Sequence, residues 1–253
     1  MRGDRHRPGH TAGRRARTRG RRSRAGLAGL AALVALGLIA TAALGARSVT
    51  RKQALALANA ISLRHSDLPS LAQSSNPVTP QQLQIENKAI ACAGAVPLKE
   101  AFVNTQSPIF QTSGPSVEAI NSGAEILPST ALVAKDFAAS ERPQALRCVL
   151  AEVETGLRAG LPATAKLTSA SAFRLPAVVT GMADSLALRC SIRVRVTQGG
   201  ITTTVPVYAD DIAFSDGQAE ISLVLNTTVT APSASLERRL AAVLVARARA
   251  VLG

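Results

Sequence analysis

Paired carboxylates can bind a hard cation or share acid–base chemistry, and the densest acidic group of the sequence is Asp210, Asp211 and Asp216. Its spacing differs from that of an EF-hand loop. Neighbouring residues of a strand point to opposite faces, so Asp210 and Asp211 cannot bind one ion unless a bulge turns one of them. We therefore expect these acids to keep the end of a hairpin soluble, and the sequence predicts no metal site.

Histidine and cysteine add few options for catalysis. His65 is the only histidine after His10, so a Ser/His/Asp triad or a zinc site in the main part of the chain would have to use it. The sequence contains no G-x-S-x-G motif, and its three cysteines are too far apart for C-x-x-C. We expect His65 to lie in a solvated loop. The sequence predicts no catalytic residue and no cofactor, so the protein is not expected to be an enzyme.

Three arginines, Arg189, Arg193 and Arg195, share one face of a strand that alternating apolar residues predict over 185–196. The opposite face is apolar and should pack on a core, which leaves the arginines on the solvated face of an antiparallel sheet. Such a row can bind an anion or an acidic partner. The alternative is an ordinary solvated sheet face, and the sequence leaves both interpretations open.

An uncharged segment, residues 25–46, is long enough as a helix to span a hydrocarbon core of about 30 Å at about 1.5 Å per residue. Residues 1–24 contain ten arginines and one aspartate, so they carry +9 of the formal net charge of +13. By the positive-inside rule this tail is cytoplasmic and the rest of the chain is extracellular. The arginines should also contact anionic membrane lipid. The alternative is a cleaved signal peptide and a secreted protein.

The remaining sequence predicts a stalk and linker over residues 47–79 and one extracellular domain over residues 80–253. Helical periodicity predicts four helices after the anchor segment, the last of them over 234–251. Alternating patterns predict the strands, with turns at Gly199-Gly200 and Asp216-Gly217. The order of these elements predicts an α+β fold, in which helices pack on a five-stranded, largely antiparallel sheet.

Short motifs give the chain a family resemblance: Cys92-Ala93-Gly94, Ser107-Pro108-Ile109-Phe110, and the segment from Arg142 to Cys148. The chain resembles secreted or membrane-anchored actinobacterial proteins of unknown function. More distantly, it resembles the extracellular sensor domains of mycobacterial Ser/Thr kinases and the PsbP-like lipoproteins. The resemblance implies an extracytoplasmic fold without a known activity and a disulfide between Cys92 and Cys148. Cys190 is then the unpaired third cysteine.

These observations favour a non-enzymatic, membrane-tethered extracytoplasmic domain of the sensor or accessory type, which binds an unidentified ligand or an envelope protein. One alternative is a structural subunit of a membrane or secretion complex without a ligand pocket. Another is a cell-wall hydrolase that uses two carboxylates across a cleft. Nucleic acid is not an expected partner, because the arginine-rich tail has no aromatic side chain on which bases could stack.

Overall fold

Helices cover both faces of one antiparallel sheet, which confirms the predicted α+β class. The computed structural model describes residues 49–75, 77–112, 118–182 and 184–252. The predicted anchor and the arginine-rich tail before it lie outside these residues. Within the part of the chain that is described, no helix is long and apolar enough to cross a membrane.

The described residues contain five α-helices, eight strands and two single-turn 3-10 helices. The helices are α1 (Arg51–Ile61), α2 (Pro80–Ala93), α3 (Thr130–Ser140), α4 (Pro143–Gly160) and α5 (Ala234–Leu252). The strands are β1 (Ala72–Ser74), β2 (Val103–Gln106), β3 (Ile109–Gln111), β4 (Glu118–Ile126), β5 (Ala165–Arg174), β6 (Ser185–Gln198), β7 (Ile201–Asp216) and β8 (Ala219–Thr228).

The sheet runs in the order β1-β3-β4-β8-β7-β6-β5, and β2 pairs with β4. Its centre is the meander β6–β7–β8, whose consecutive strands pair in an unbroken register. The turns of this meander fall at Gly199-Gly200 and at Gly217, with φ angles of 60°, 81° and 59°. Glycine suits these positive angles because it has no Cβ. The two turn positions predicted from the sequence are therefore confirmed.

Eight strands in the described residues are three more than the five predicted, and the additional ones are β1, β2 and β3. The sequence predicts loops there, because strands of three or four residues are too short to show a period of two. These strands extend the sheet beyond β4. Backbone pairing, rather than a pattern of side chains, accounts for their formation: β2 and β3 pair with β4, and β1 pairs with β3.

Helix α1 is part of the folded domain, so the predicted stalk over residues 47–79 is wrong for this segment. Ala54, Ala58 and Ile61 recur at helical spacing and are fully buried in the core that α1 shares with α5. A bidentate ion pair between Arg247 of α5 and Asp67, with two N–O distances of 2.8 Å, fixes the turn that follows α1. Helix α1 therefore packs on the domain like the other helices.

Two hydrophobic cores lie on the two sides of the sheet. On the first face, α1 and α5 pack against alternate residues of the central strands, among them Ile120, Ile212 and Leu223. On the second face, α2, α3 and α4 pack against the other set, among them Leu188 and Ile192. Strand β8 is buried at every position, because both of its faces are covered. Polar residues of the central strands are consequently buried as well.

A disulfide joins Cys92 of α2 to Cys148 of α4, and this is the pair that the family resemblance implies. Cys190 of β6 is a free thiol, fully buried in the second core. Burial raises the pKa of this thiol to about 12, with smaller contributions from the carboxyl groups of Asp211, Asp210 and Glu152. A neutral thiol in this position packs as a small apolar side chain.

Candidate functional site

Two glutamates face each other across the neighbouring strands β4 and β8, near the turn that precedes β8. Glu125 of β4 and Glu220 of β8 are directly opposed in register, and Asn104 of β2 opposes Glu125 from the other side. The row two residues further along has Gln106, Gly123 and Ser222 in the same three strands. Residues in these two rows share the second face of the sheet, because successive side chains of a strand alternate. We refer to this group as the carboxylate cleft, formed by Asn104, Gln106, Gly123, Glu125, Glu220 and Ser222.

The carboxylate cleft leaves only about 10 Å3 for the centres of water-sized molecules, which is about the space that one water needs. Strands β4 and β8 approach closely here, since a Cβ on Gly123 would lie 2.6 Å from Ser222 Oγ. Ligand pockets for drug-sized molecules usually have about 300–1,000 Å3. The cleft is therefore suited to an ion or a very small polar group.

Both glutamates of the cleft favour the protonated form. Burial raises the pKa of Glu125 to about 8, and the carboxyl groups of Asp136 and Glu86 add to this. Burial also raises the pKa of Glu220 well above its usual range, with contributions from Asp136 and Glu125. Both carboxyl oxygens of Glu220 are buried without a hydrogen-bond partner. The charged groups that act on the two glutamates are therefore carboxyl groups, which disfavour a negative charge on the pair instead of neutralising it.

Further acidic side chains continue from the cleft between the sheet and helices α2 to α4. Burial raises the pKa of Glu86 to about 7, that of Asp136 to about 6 and that of Glu152 to about 8. Asp211 is also buried, its pKa is raised well above normal, and neither of its oxygens has a hydrogen-bond partner. Among the described residues, no group of three or more Asp, Glu, His or Cys is arranged to hold a metal ion. We call this set the carboxyl layer: Glu86, Glu125, Asp136, Glu152, Asp211 and Glu220.

Asp210 and Asp211 point to opposite faces, as strand geometry predicts, but the expectation that they keep a hairpin end soluble is wrong. Both are at most 2% exposed, because β7 continues beyond them to Asp216 and helices cover both faces there. Asp210 accepts two hydrogen bonds from Arg189, at 2.6 Å and 2.5 Å. Glu237 of α5 accepts a third from the same guanidinium at 3.2 Å. Burial and the neighbouring Asp210 raise the pKa of Glu237 to about 7 despite this contact.

The three arginines predicted to share one strand face differ in their surroundings in the structure. Arg189, Arg193 and Arg195 share the first face of β6, as predicted, but α5 covers Arg189 at its ion pair with Asp210. Arg193 and Arg195 are exposed, and Lys166 of β5, which is also exposed, lies directly opposite Arg195. We call Lys166, Arg193 and Arg195 the basic face. Whether it binds a partner remains a prediction.

Sequence reasoning did not identify the carboxylate cleft or most of the carboxyl layer. Glu125 and Glu220 alternate with apolar residues, and this pattern is the same as that of a strand with one solvated face. The second face becomes buried only because α2, α3 and α4 cover it. His65 lies exposed in a short turn, as expected for a solvated residue.

Comparison with known proteins gives little that bears on function. No protein-family model matches the chain. A comparison with curated proteins gives no match either. The extracellular domain of PknH from Mycobacterium tuberculosis resembles the chain with a TM-score of 0.40 and 10% sequence identity, over 81% of this chain and 100% of that one. At this TM-score the likeness carries no argument about fold or function.

Proposed function

We propose that this chain is a non-enzymatic extracytoplasmic domain that is tethered by residues 25–46 and binds an acidic envelope protein through the basic face. The observation that carries the proposal is the position of the basic face: Lys166, Arg193 and Arg195 are exposed on the part of the first face beyond Arg189. Helix α5 reaches the sheet as far as Arg189, which donates to Glu237 of the helix and to the carbonyl of Pro232 just before it.

The charge of the basic face is not compensated by the strands around it. Arg195 lies between Lys166 and Thr204, and Arg193 is opposed by Ser169 and Pro206. None of these neighbours is acidic. Three cations in a row without an acid between them create a positive potential, which attracts an acidic surface and is weakened by salt.

A protein partner fits the side chains that accompany the charges. Tyr208 of β7 lies on the same face, between the basic face and the Asp210 ion pair, and Phe173 of β5 is 44% exposed opposite Arg189. Tyrosine, phenylalanine and arginine are enriched in protein–protein interfaces, in which aromatic side chains and arginines supply most of the binding energy. The nearby edge of β5 is also long enough to pair with a strand of the partner.

The disulfide supports the proposed location of the domain outside the cytoplasm. Disulfides persist in oxidising environments, such as the outside of a bacterial cell, and are rare in the cytosol. The bridge between Cys92 and Cys148 therefore fits a domain outside the membrane, with the arginine-rich tail in the cytoplasm in contact with anionic lipid. The alternative of a secreted domain, released by a signal peptidase, has the same fold and the same basic face.

The proposal can be tested by site-specific photo-crosslinking of the full-length protein in its native membranes. A photoreactive residue at exposed Ser171, on the same side of β5, should crosslink one protein. The crosslink should be lost in the variant Arg193→Glu/Arg195→Glu and in 1 M salt, at which the Debye length is only about 3 Å. The matched control is Arg147→Glu/Arg238→Glu, two exposed arginines on α4 and α5.

An acidic partner that, once purified, binds the wild type and the control variant but not the basic-face variant would support the proposal. Crosslinks that persist in all variants would contradict it, as would crosslinks only to lipid. Circular dichroism of each variant verifies that the fold is intact. Protease treatment of intact protoplasts tests the topology separately, because an extracellular domain is digested and a cytoplasmic one is protected.

A further inference from the structure

We propose that the carboxylate cleft binds a divalent cation of the calcium and magnesium class, with Glu125 and Glu220 as its charged ligands. The site does not involve the basic face, which lies on the other side of the sheet. The two proposals can therefore fail independently.

The register of three strands brings the oxygen ligands together. Directly opposed residues of antiparallel strands have Cβ atoms about 4.5–5.5 Å apart, so the carboxyl groups of Glu125 and Glu220 can approach the same point. Asn104, Gln106 and Ser222 line the same cleft and add amide and hydroxyl oxygens. Calcium ions take six to eight oxygen ligands, of which carboxylates, amide oxygens and waters are typical.

A second observation points to a ligand independently of this grouping. Glu220 is 2% exposed, and neither of its carboxyl oxygens has a hydrogen-bond partner. Ser215 of β7 lies directly opposite Glu220 on its other side, and its hydroxyl is also buried without a partner. A buried carboxylate without compensation is strongly unfavourable, so Glu220 must be either protonated or bound to a cation.

The charges around the cleft favour a cation. Asp136 of α3 acts on both glutamates and Glu86 of α2 acts on Glu125, and both groups are acidic. Lys135 of α3 acts on Asp136, whose carboxyl also accepts a hydrogen bond from the backbone of Val96. The cleft has room for about one water-sized group, which excludes a larger organic cation.

The ligand set predicts a weak site. It contains two carboxylates rather than three or more, in keeping with the lack of a larger metal-binding group among the described residues. Extracellular calcium modules bind with dissociation constants of about 10⁻⁴–10⁻³ M, which matches a site of this kind and the millimolar cation concentrations outside a cell. Protons compete for the same oxygens, so cation binding should weaken as the pH falls.

Thermal unfolding of the full-length protein in detergent tests the site. At pH 8.5, 10 mM CaCl₂ or MgCl₂ should raise Tm by about 3–10 °C relative to EDTA at matched ionic strength, given the predicted affinity. At pH 5 the rise should disappear. The variants Glu125→Gln and Glu220→Gln should each lose it, and Glu118→Gln, at the other end of β4, should retain it.

Isothermal titration with each cation at pH 8.5 gives a readout that does not depend on stability. Heat of binding with one site per chain in the wild type, and none in Glu220→Gln, supports the proposal. The proposal is overturned if Ca²⁺, Mg²⁺ and Mn²⁺ all leave Tm unchanged and give no heat, or if Glu125→Gln and Glu220→Gln respond like the wild type. Either outcome would mean that Glu125 and Glu220 bind protons and no divalent cation.

Discussion

Arg189 and Asp210 form a bidentate ion pair across β6 and β7, with Nε 2.6 Å from Oδ1 and Nη2 2.5 Å from Oδ2. The carboxylate is completely buried. The same Nη2 also donates to the carbonyl of Pro232 and to Glu237, each at 3.2 Å. This guanidinium therefore connects the start of α5 to the centre of the sheet.

Replacing Arg189 by methionine should destabilise the domain strongly. Asp210 and Glu237 would remain buried side by side without the cation, and removal of one partner of a buried ion pair typically costs about 3–5 kcal/mol. Urea unfolding measures the change. The control is Arg193→Met on the same strand, which should change the free energy of unfolding by no more than about 0.5 kcal/mol because Arg193 is exposed. Equal effects of the two substitutions would show that the ion pair contributes nothing particular to stability.

The carboxyl layer should make the domain less stable as the pH rises. The pKa values of its folded-state groups are raised, to about 6 for Asp136, about 7 for Glu86 and about 8 for Glu125 and Glu152. Between about pH 4.5 and pH 8 the folded state therefore holds protons that the unfolded chain has released. The stabilisation from these bound protons is complete below the pKa values that the carboxyl groups have in the unfolded chain. It is lost as the pH rises through the pKa values that they have in the folded state.

Urea unfolding at pH 5.5 and at pH 8, both in EDTA, measures this effect. Each proton held only by the folded state lowers the free energy of unfolding by about 1.4 kcal/mol per pH unit, so a loss of at least about 2 kcal/mol is expected. Glu152→Gln should reduce the loss, because glutamine in this position does not ionise. Glu141→Gln, at an exposed position, should leave it unchanged. Higher stability at pH 8 than at pH 5.5 would mean that these groups are not protonated in the folded state.

The parts of the fold that could be predicted are those with a long, regular pattern. Strand β6 alternates over 14 residues, and the apolar positions of α4 recur at helical spacing over 18 residues, so both elements were recognisable. Strands β1 to β3 show no such pattern, because β2 and β3 form by pairing with β4, and β1 forms by pairing with β3. The sequence predicts a stalk at helix α1, because its buried stripe of Ala54, Ala58 and Ile61 is short and contains small side chains.

The acidic sites were harder to predict than the strands that carry them. The sequence shows that Glu125 and Glu220 alternate with apolar residues, which predicts a solvated face. Whether that face is solvated depends on α2, α3 and α4, which are distant in sequence. The same reason explains Arg189, which has the sequence environment of Arg193 but lies under α5. Burial of a polar strand face is decided by tertiary packing, and a single sequence does not contain that information directly.

The disulfide should contribute substantially to stability. It links residues that are 56 positions apart, and in the chain-entropy model a loop of this length corresponds to about 4 kcal/mol, with measured values commonly about 2–4 kcal/mol. The variant Cys92→Ser/Cys148→Ser should lower the free energy of unfolding by this amount. Alkylation of the unreduced, denatured wild type should label Cys190 alone. A label on Cys92 or Cys148 would contradict the pairing, and a variant as stable as the wild type would contradict the expected contribution.

Gly123 of β4 and Ser222 of β8 lie directly opposite each other, and their energetic coupling can be measured. A Cβ on residue 123 would lie 2.6 Å from Ser222 Oγ and 4.0 Å from Ser222 Cβ, so the conflict is with the hydroxyl alone. Gly123→Ala should therefore destabilise the domain by about 1–3 kcal/mol, as overpacking typically does. The addition of Ser222→Ala should recover most of that loss, because the double variant retains only the longer contact.

The matched control is Gly160→Ala at the end of α4, where no atom lies within 4 Å of the new Cβ and stability should stay the same or rise by up to about 1 kcal/mol. Urea unfolding of the wild type, both single variants and the double variant gives the coupling energy directly. If Gly123→Ala costs the same with and without the Ser222 hydroxyl, the close approach of β4 and β8 in the carboxylate cleft is not what requires glycine at this position.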